Sequence, residues 1–447
     1  MSTSNLLAQW SPWVAAMAAP LHRRLAWRLP IVVAGILLAS GRRTITQWIR
    51  GAQVTTGIRS YYYFLDVVGR KTPPIAAQLL KIIAREVPAQ ARLLFAIDDT
   101  PTQRHGPKVQ GAGVHHNPTP GPAGSNFLYG HSWVTLSRVV NHNHFGTIGL
   151  PLLGKLYVRQ KDVPGLPAEA KIPFQTKLQM AAEMLTTLGS ELPESDHRPW
   201  AVVDGAYAKR EFLRPAMKAG FVVVARLRKD AALFDLPPSL PPGTKRGRGR
   251  PPIYGKNPLS LAKRAGQTRG WAAVTTTRTT GRAVIERFKT FLATWAPAGG
   301  VIRVVILKAK GDSWRASLCS DPEASVEAIA QAVHDRRAIE QNYHDLKEVE
   351  RIEQVQLRRV WSNVGAMNLN LWVHTLIEVW SWKQDASVLR DRRDRPWDDP
   401  GRRPSHADRR GALRRAMWGE EYRRLGLAGP LCEKILPFFD RIVRLAG

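Results

Sequence analysis

The spacing of apolar residues divides the chain into helical and strand-forming stretches. Up to about residue 90, apolar positions recur at three- and four-residue steps between Pro, Gly and polar breaks, as in amphipathic helices. The predicted helices lie near residues 5–19, 22–39, 43–51, 57–69 and 74–87. The pattern predicts a helical N-terminal domain over residues 1–90.

After residue 90, runs of β-branched and aromatic residues replace the helical spacing. Strands are predicted at 92–99, 131–140, 145–158, 200–205 and 220–227, with helices across 173–189 and near 208–218. Three strands followed by alternating helices and strands predict an α/β domain with a mixed sheet. Residues 91–227 are its first part.

A segment at residues 228–323 interrupts this alternation. It begins with a Pro-, Gly- and Arg-rich stretch, and strand-forming runs follow at 271–278, 283–291, 300–310 and 314–320. This pattern predicts a β-rich insertion. Helical spacing returns at 324–382, which we expect to supply the last helices of the α/β domain, and residues 383–447 are predicted to be a helical C-terminal region.

The charge balance favours a polyanionic partner. The chain of 447 residues has 66 Lys and Arg against 36 Asp and Glu, a net charge of +30, which makes nucleic acid the first candidate. A membrane surface is disfavoured, because the longest apolar run, residues 29–39, is too short to cross a bilayer. Two cysteines argue against a disulfide framework or a cysteine zinc site.

The N-terminal segment is strongly basic. Residues 1–90 have eleven Lys and Arg against two acidic residues, a balance of +9. The stretch "GRRTITQWIRGA" (41–52), with Arg42 and Arg43, fits part of a DNA-binding helix-turn-helix. Its periodicity fits a plain helical bundle equally well.

Aspartates end two of the predicted strands. Asp98 and Asp99 close the first strand, and Asp204 closes the strand after the crossover helix. The carboxyl ends of neighbouring strands meet at the edge of an open α/β sheet where such folds bind ligands. For either strand alone, an aspartate that caps the following turn is the alternative.

A later helix carries charged residues on the stripe that should be buried. The apolar stripe of residues 326–333 continues at helical spacing into Arg336, Glu340 and Lys347. A solvated face with an Arg336–Glu340 ion pair, worth a few tenths of a kcal/mol, is one interpretation. A face directed at a polar ligand is the other.

These motifs, taken in order, resemble the bacterial insertion-sequence DDE transposases whose third carboxylate lies in a Y-x2-R-x3-E-x6-K signature. Arg336, Glu340 and Lys347 match its R-x3-E-x6-K part, and Val333 stands at the tyrosine position. The resemblance extends from about residue 90 to 350, and loosely to "PWDDPGRRPSHADRRGALRR" near the C-terminus.

Two further stretches match the aspartate motifs of that family. "AIDDTPTQRHG" resembles the first, in which the aspartate directly before Thr is the ligand, and this favours Asp99 over Asp98. "AVVDGAYAKREFL" resembles the second and indicates Asp204. The resemblance implies an α/β RNase H-like catalytic core with a β-rich insertion, flanked by helical N-terminal and C-terminal regions.

The implied function is DNA transposition. Asp99, Asp204 and Glu340 are expected to be catalytic and to hold two Mg²⁺ ions, for which Mn²⁺ would substitute, during cleavage and transfer of DNA strands. The expected partners are double-stranded DNA and a second copy of the chain on it, in the bacterial cytoplasm at the nucleoid. A domesticated nuclease and a non-catalytic DNA-binding protein with the same fold are the alternatives.

Other basic residues are expected to contact DNA phosphates. Arg336 and Lys347 share the helical stripe of Glu340 and are therefore expected to hold phosphates beside the metals. The stretch "KRGRGRPP" (245–252) resembles an AT-hook and fits a basic linker equally well. In either case Arg246, Arg248 and Arg250 are predicted phosphate contacts.

Tryptophans of the insertion have two interpretations. Trp271, Trp295 and Trp314 fit stacking on an unpaired base, which is worth ~1 to 3 kcal/mol. Packing in the core of the insertion is favoured for each.

Overall fold

The structure is a computed structural model that describes residues 7–117, 124–193, 195–238, 252–308, 313–390, 397–399 and 401–424. Helices open the described chain. They are α1 (Trp10–Ala18), α2 (Arg23–Ala26), α3 (Arg28–Leu38), α4 (Ile45–Gly51), α5 (Ile58–Arg70) and α6 (Thr72–Glu86). The apolar faces of these helices bury Trp10, Trp13 and Phe64. The predicted helices are confirmed within the described residues, except that the first begins only at Trp10 and the one predicted near 22–39 divides into α2 and α3 at Trp27.

A mixed sheet follows the helices. Its first six strands are β1 (Leu94–Gln103), β2 (Gly113–His116), β3 (Phe127–His142), β4 (Gly146–Tyr157), β5 (Trp200–Val203) and β6 (Val222–Leu227). Five of them lie in the order β4-β3-β1-β5-β6. β1, β5 and β6 are parallel, and β3 is antiparallel to both β1 and β4. This arrangement confirms the predicted RNase H-like α/β core.

Two helices connect the parallel strands. α7 (Lys177–Gly189) leads into β5 and α8 (Arg210–Lys218) leads into β6. α7 begins at a capping box, in which the Thr176 side chain accepts from the Gln179 amide and Gln179 accepts in return from the Thr176 amide. Such a box satisfies two backbone donors that the first helical turn leaves without partners.

The β-rich insertion continues the same sheet. Its elements are β7 (Leu233–Phe234), β8 (Pro258–Leu259), α9 (Leu261–Gly266), β9 (Ala272–Thr277), β10 (Ala283–Trp295), β11 (Gly300–Lys308) and β12 (Trp314–Cys319). β12 pairs antiparallel with β6, so the insertion strands lengthen the core sheet on one side. Arg246, Arg248 and Arg250 lie outside the described residues.

The tryptophans of the insertion are engaged within the protein. Trp295 is buried. Trp271 donates from its indole to the Gln267 carbonyl, and Lys229 lies over the half-buried ring of Trp314 at 4.9 Å. These contacts favour packing over base stacking.

Helices after the insertion cover both sides of the sheet. They are α10 (Val326–Asp335), α11 (Arg337–Glu348), α12 (Val360–Ser381), α13 (Ala386–Leu389) and α14 (His406–Arg424). Residues 95 and 97 of β1 pack in the core cluster that contains α7, α8 and α12. Residues 94 and 96 pack in the smaller cluster with α10 and α11. The strand is therefore buried on both faces.

Close backbone contact joins the N-terminal helices to α12. A Cβ on Gly69 would lie 1.9 Å from the Trp361 carbonyl oxygen, and one on Gly365 would lie 2.1 Å from the Leu65 carbonyl oxygen. Only glycine permits helices to approach this closely. None of the described helices is both long and apolar enough to cross a membrane.

Candidate active site

Asp98 and Asp204 lie side by side, directly after the last paired residues of β1 and β5. Asp98 and Asp99 do not close the first strand as the sequence predicted, because β1 continues to Gln103 in its pairing with β3. The two strands are parallel, with Ile97 opposite Val203, so the next residues are also neighbours. Because side chains alternate along a strand, both carboxylates point to the face that residues 94, 96 and 202 bury against α10 and α11. The predicted convergence of carboxylates at this edge therefore involves Asp98.

Glu340 lies on the helix that covers this face. Arg336, at the junction of α10 and α11, donates from Nη1 to Asp98 Oδ2 at 2.6 Å and from Nη2 to Glu340 Oε1 at 3.0 Å. One turn further on, the Tyr343 hydroxyl is 2.7 Å from Oγ1 of Thr135, which pairs with Asp98 across β1 and β3. These contacts hold α11 over the aspartates, with Glu340 at the rim and 55% exposed.

Asp99 faces the opposite side of the sheet. Its Oδ2 accepts from Lys177 Nζ of α7 at 2.6 Å, and its Oδ1 accepts from the Tyr207 hydroxyl at 3.3 Å. The structure thus brings Asp204 and Glu340 together along one cleft. It places Asp98, and not Asp99, on their side of the sheet.

The ionised form of the Asp98 carboxylate is electrostatically destabilised. Burial raises its pKa to about 6, and the negative charges of Asp99 and Asp204 add to the rise. Arg336 and the Asp99 amide act in the opposite direction but do not cancel it. A divalent cation beside Asp98 and Asp204 would relieve this repulsion.

The donor set fits a hard divalent cation. Asp98, Asp204 and Glu340 offer carboxylate oxygens, the ligands that Mg²⁺ prefers. The Arg336 guanidinium now bridges two of them. Within the described ranges, three donor atoms lie within 4.8 Å of one another only at His374, Glu378 and His406, so the three carboxylates are not drawn together around one point.

The histidine cluster is a buried ion-pair network. His406 bonds through Nδ1 to Glu378 at 2.6 Å and through Nε2 to Glu350 at 3.1 Å, so both ring nitrogens donate. Arg409 pairs with Glu378, and Arg410 pairs with Glu350 at 2.8 Å. Arg410 also donates to backbone carbonyls of α3. The network ties α14 to α12, to the end of α11 and to the N-terminal helices.

Protonation states follow from these pairings. Burial alone would lower the pKa of His406, but the carboxylates of Glu350 and Glu378 raise it to about 9. Burial raises the pKa of Glu350 and Glu378, but their cationic partners lower each to about 2. An imidazolium between two arginine-paired carboxylates leaves no lone pair for a metal, so this cluster is structural.

The other predicted DNA contacts differ in exposure. Arg42 is exposed, whereas Arg43 is half-buried, and burial and the nearby Arg410 lower its pKa to about 10. Lys347 is half-buried, and burial lowers its pKa.

Sequence reasoning missed three arginines of the cleft. Arg226, Arg315 and Arg337 line it together with Asp204 and Glu340. The sequence could have indicated Arg226, because it is the one charged residue in an otherwise apolar strand whose other positions are buried. The position of Arg315 at the cleft depends on the pairing of β12 with β6, which the sequence alone does not reveal.

The strand order, the helical flanks and the carboxylates at one edge define an RNase H-like α/β protein. The sequence matches the family described as DDE superfamily endonuclease over residues 16–287, and the chain belongs to this family. The match includes Asp98, Asp99 and Asp204, and it ends before Glu340.

No curated protein matches the chain. A solved structure titled as the cryo-EM structure of piggyBac transposase synaptic complex with hairpin DNA aligns with 10% identity and a TM-score of 0.33. The alignment covers 83% of this chain and 60% of that one.

Proposed function

We propose that this protein is a DNA transposase that cleaves the ends of its insertion sequence and joins them to target DNA. Asp98, Asp204 and Glu340 are its metal ligands and catalytic residues. The observation that carries the proposal is the adjacency of Asp98 and Asp204 on the face covered by the Glu340 helix. Holding two ends together implies at least a dimer on DNA.

Two Mg²⁺ ions, or Mn²⁺ in their place, would activate the attacking oxygen and stabilise the leaving oxygen of an in-line phosphoryl transfer. Arg336 holds Asp98 and Glu340 in position and balances their charge without metal. Its guanidinium, like the Lys347 ammonium, is suited to a DNA phosphate.

Asp99 is a positioning residue in this account, in place of the ligand predicted from the motif. Its amide donates to Asp98 Oδ1 at 2.9 Å. Its carboxylate accepts from Tyr207, which lies in the turn directly after Asp204. Asp99 therefore fixes the spacing of the two aspartates from the opposite face.

The proposed activity is tested by single-turnover cleavage of DNA that carries the ends of its insertion sequence. The purified protein is expected to nick at the repeat ends in Mg²⁺ and to remain inactive in EDTA. Wild-type protein that binds these ends but leaves them intact with either metal would refute transposase activity.

Arg336→Ala and Lys347→Ala are each expected to lower the cleavage rate by ~10-fold or more, because a charge-assisted phosphate contact is worth ~1.5 to 3 kcal/mol. Single-turnover rates on pre-bound ends are measured beside thermal melting of each variant. If the residues only form a solvated ion-paired face, both variants will cleave at the wild-type rate.

Arg42→Ala is expected to weaken binding to end duplexes and to reduce the slope of log K against log salt by about 1, because one phosphate contact is lost. Arg43→Ala, half-buried beside the Arg410 network, should mainly lower the melting temperature. Fluorescence anisotropy over a salt series distinguishes them, and an unchanged slope for Arg42→Ala would remove this residue from the DNA interface.

A further inference from the structure

A row of polar residues extends the active edge of the sheet into the insertion. Val203 of β5 pairs with Ala225 of β6, so the next residues, Asp204 and Arg226, are neighbours on one face. Arg226 in turn pairs with Ser317 of β12. The row leads from the carboxylates into a cleft of about 360 Å³.

Arginines surround this cleft. Arg226 and Arg337 are exposed, and neither guanidinium has a hydrogen bond or an ion pair within the described part of the chain. Arg315, two residues before Ser317 in β12, faces the same side of the sheet. The cleft therefore places free cationic donors beside the carboxylates of Asp204 and Glu340.

Arg315 is held by a buried partner. Its Nη2 donates to the two carboxylate oxygens of Glu286 at 2.9 and 3.0 Å, and Glu286 also pairs with His334 at 2.6 Å. Glu286 is only 4% exposed. The buried Nε of Arg315 has no acceptor among the described residues. Glu286 thus fixes a guanidinium whose side chain remains 25% exposed at the cleft.

The strand order places the cleft and the N-terminal helices on different sides of the carboxylates. The N-terminal helices pack against α12 and β4, on the α12 face of the sheet and on the β4 side of the carboxylates in the strand order. β6 and β12 lie on the other side. A duplex bound by the N-terminal helices and cut at the carboxylates would continue past the scissile phosphate into the cleft.

We propose that this arginine-lined cleft binds the backbone of the DNA strand flanking the element, directly beyond the scissile phosphate, and that Glu286 positions Arg315 for this contact. The inference rests on the proposed function. Guanidinium groups recognise phosphodiesters without reading bases, so the contact is independent of the flanking sequence.

The test is fluorescence anisotropy of the full-length protein without divalent metal. One labelled duplex stops at the outer end of the terminal repeat, and the other continues by about ten base pairs of flank, one turn of B-DNA. Wild-type protein is expected to prefer the longer duplex by about tenfold or more, the size of charge-assisted contacts. Arg226→Ala and Arg337→Ala should each reduce this preference and leave affinity for the short duplex unchanged.

Arg282→Ala is the matched control, because Arg282 is an exposed arginine of the same insertion, just before β10 and outside the cleft. It should retain the preference. Equal wild-type affinity for the two duplexes overturns the inference. The inference is also overturned if Arg226→Ala lowers the affinity for both duplexes by the same factor, because that result reflects only the loss of a positive charge.

Glu286→Gln separates positioning from charge. Loss of a negative charge alone would strengthen binding to both duplexes. Loss of the Arg315 anchor should weaken binding only to the longer duplex, and tighter binding to it would refute the positioning role. Since no step requires metal, a flank preference in a protein that never cleaves would refute the proposed function and support this inference. Cleavage without any preference for the flanked duplex would support the proposed function and refute this inference.

Discussion

Asp98→Asn is expected to lower single-turnover cleavage of an element end by roughly a thousandfold, because a metal that loses a ligand no longer supplies several kcal/mol of transition-state stabilisation. Asp99→Asn should retain far more activity. Its side chain lies on the opposite face, bonded to Lys177 and Tyr207. Asn keeps the size of both side chains, so the comparison isolates the charge.

The measurement is the cleavage rate of pre-bound ends in saturating Mg²⁺, with anisotropy to show that binding persists. Asp204→Ala should behave like Asp98→Asn, and its DNA affinity should be unchanged or slightly higher, since one negative charge is lost. If Asp99→Asn is inactive and Asp98→Asn cleaves normally, the first ligand is the aspartate that the motif indicated.

His406→Ala is expected to destabilise the protein by about 3–5 kcal/mol, the usual cost of removing one partner from a buried ion network. The pKa of His406 in the folded protein, about 9, lies above its ordinary value of 6.5. The stabilisation is therefore fully present below pH 6.5 and is lost as pH rises through 9. The wild type should lose stability across this window.

Urea denaturation at several values between pH 6 and 9.5 tests this expectation. His406→Ala should show a flatter pH dependence, and His144→Ala, which removes an exposed histidine, should match the wild type. A wild-type stability that is constant across the window would contradict an imidazolium bound between Glu350 and Glu378.

Most elements of the fold could be predicted from the sequence, because strand and helix periods differ clearly along the chain. The face of each β1 residue could not. Strand β1 is buried on both sides, so "LLFAI" shows no alternation that would assign Asp98 or Asp99 to a face. The pairing of β1 with β5 and the position of α11 determine that Asp98, and not Asp99, lies on the face with Asp204 and Glu340.

The C-terminal region shows a second limit. The stretch "SHADRRGALRR" lies in the predicted helical C-terminal region, and charged residues are seldom buried, yet His406, Arg409 and Arg410 are buried. Their partners, Glu350 and Glu378, lie 28 to 60 residues earlier. Local periodicity carries no information about such distant pairs. The cleft arginine Arg315 was missed for the same reason, since its place depends on strand pairing.

Binding of Mn²⁺, followed by the loss of its free-ion EPR signal, tests the assignment of the metal ligands most directly, since it requires no DNA and no turnover. The account predicts that the wild type and Asp99→Asn bind Mn²⁺ with similar affinity. Asp98→Asn, Asp204→Asn and Glu340→Gln should each bind it at least about tenfold more weakly. Wild-type affinity in Asp98→Asn, with binding lost in Asp99→Asn, would contradict the assignment.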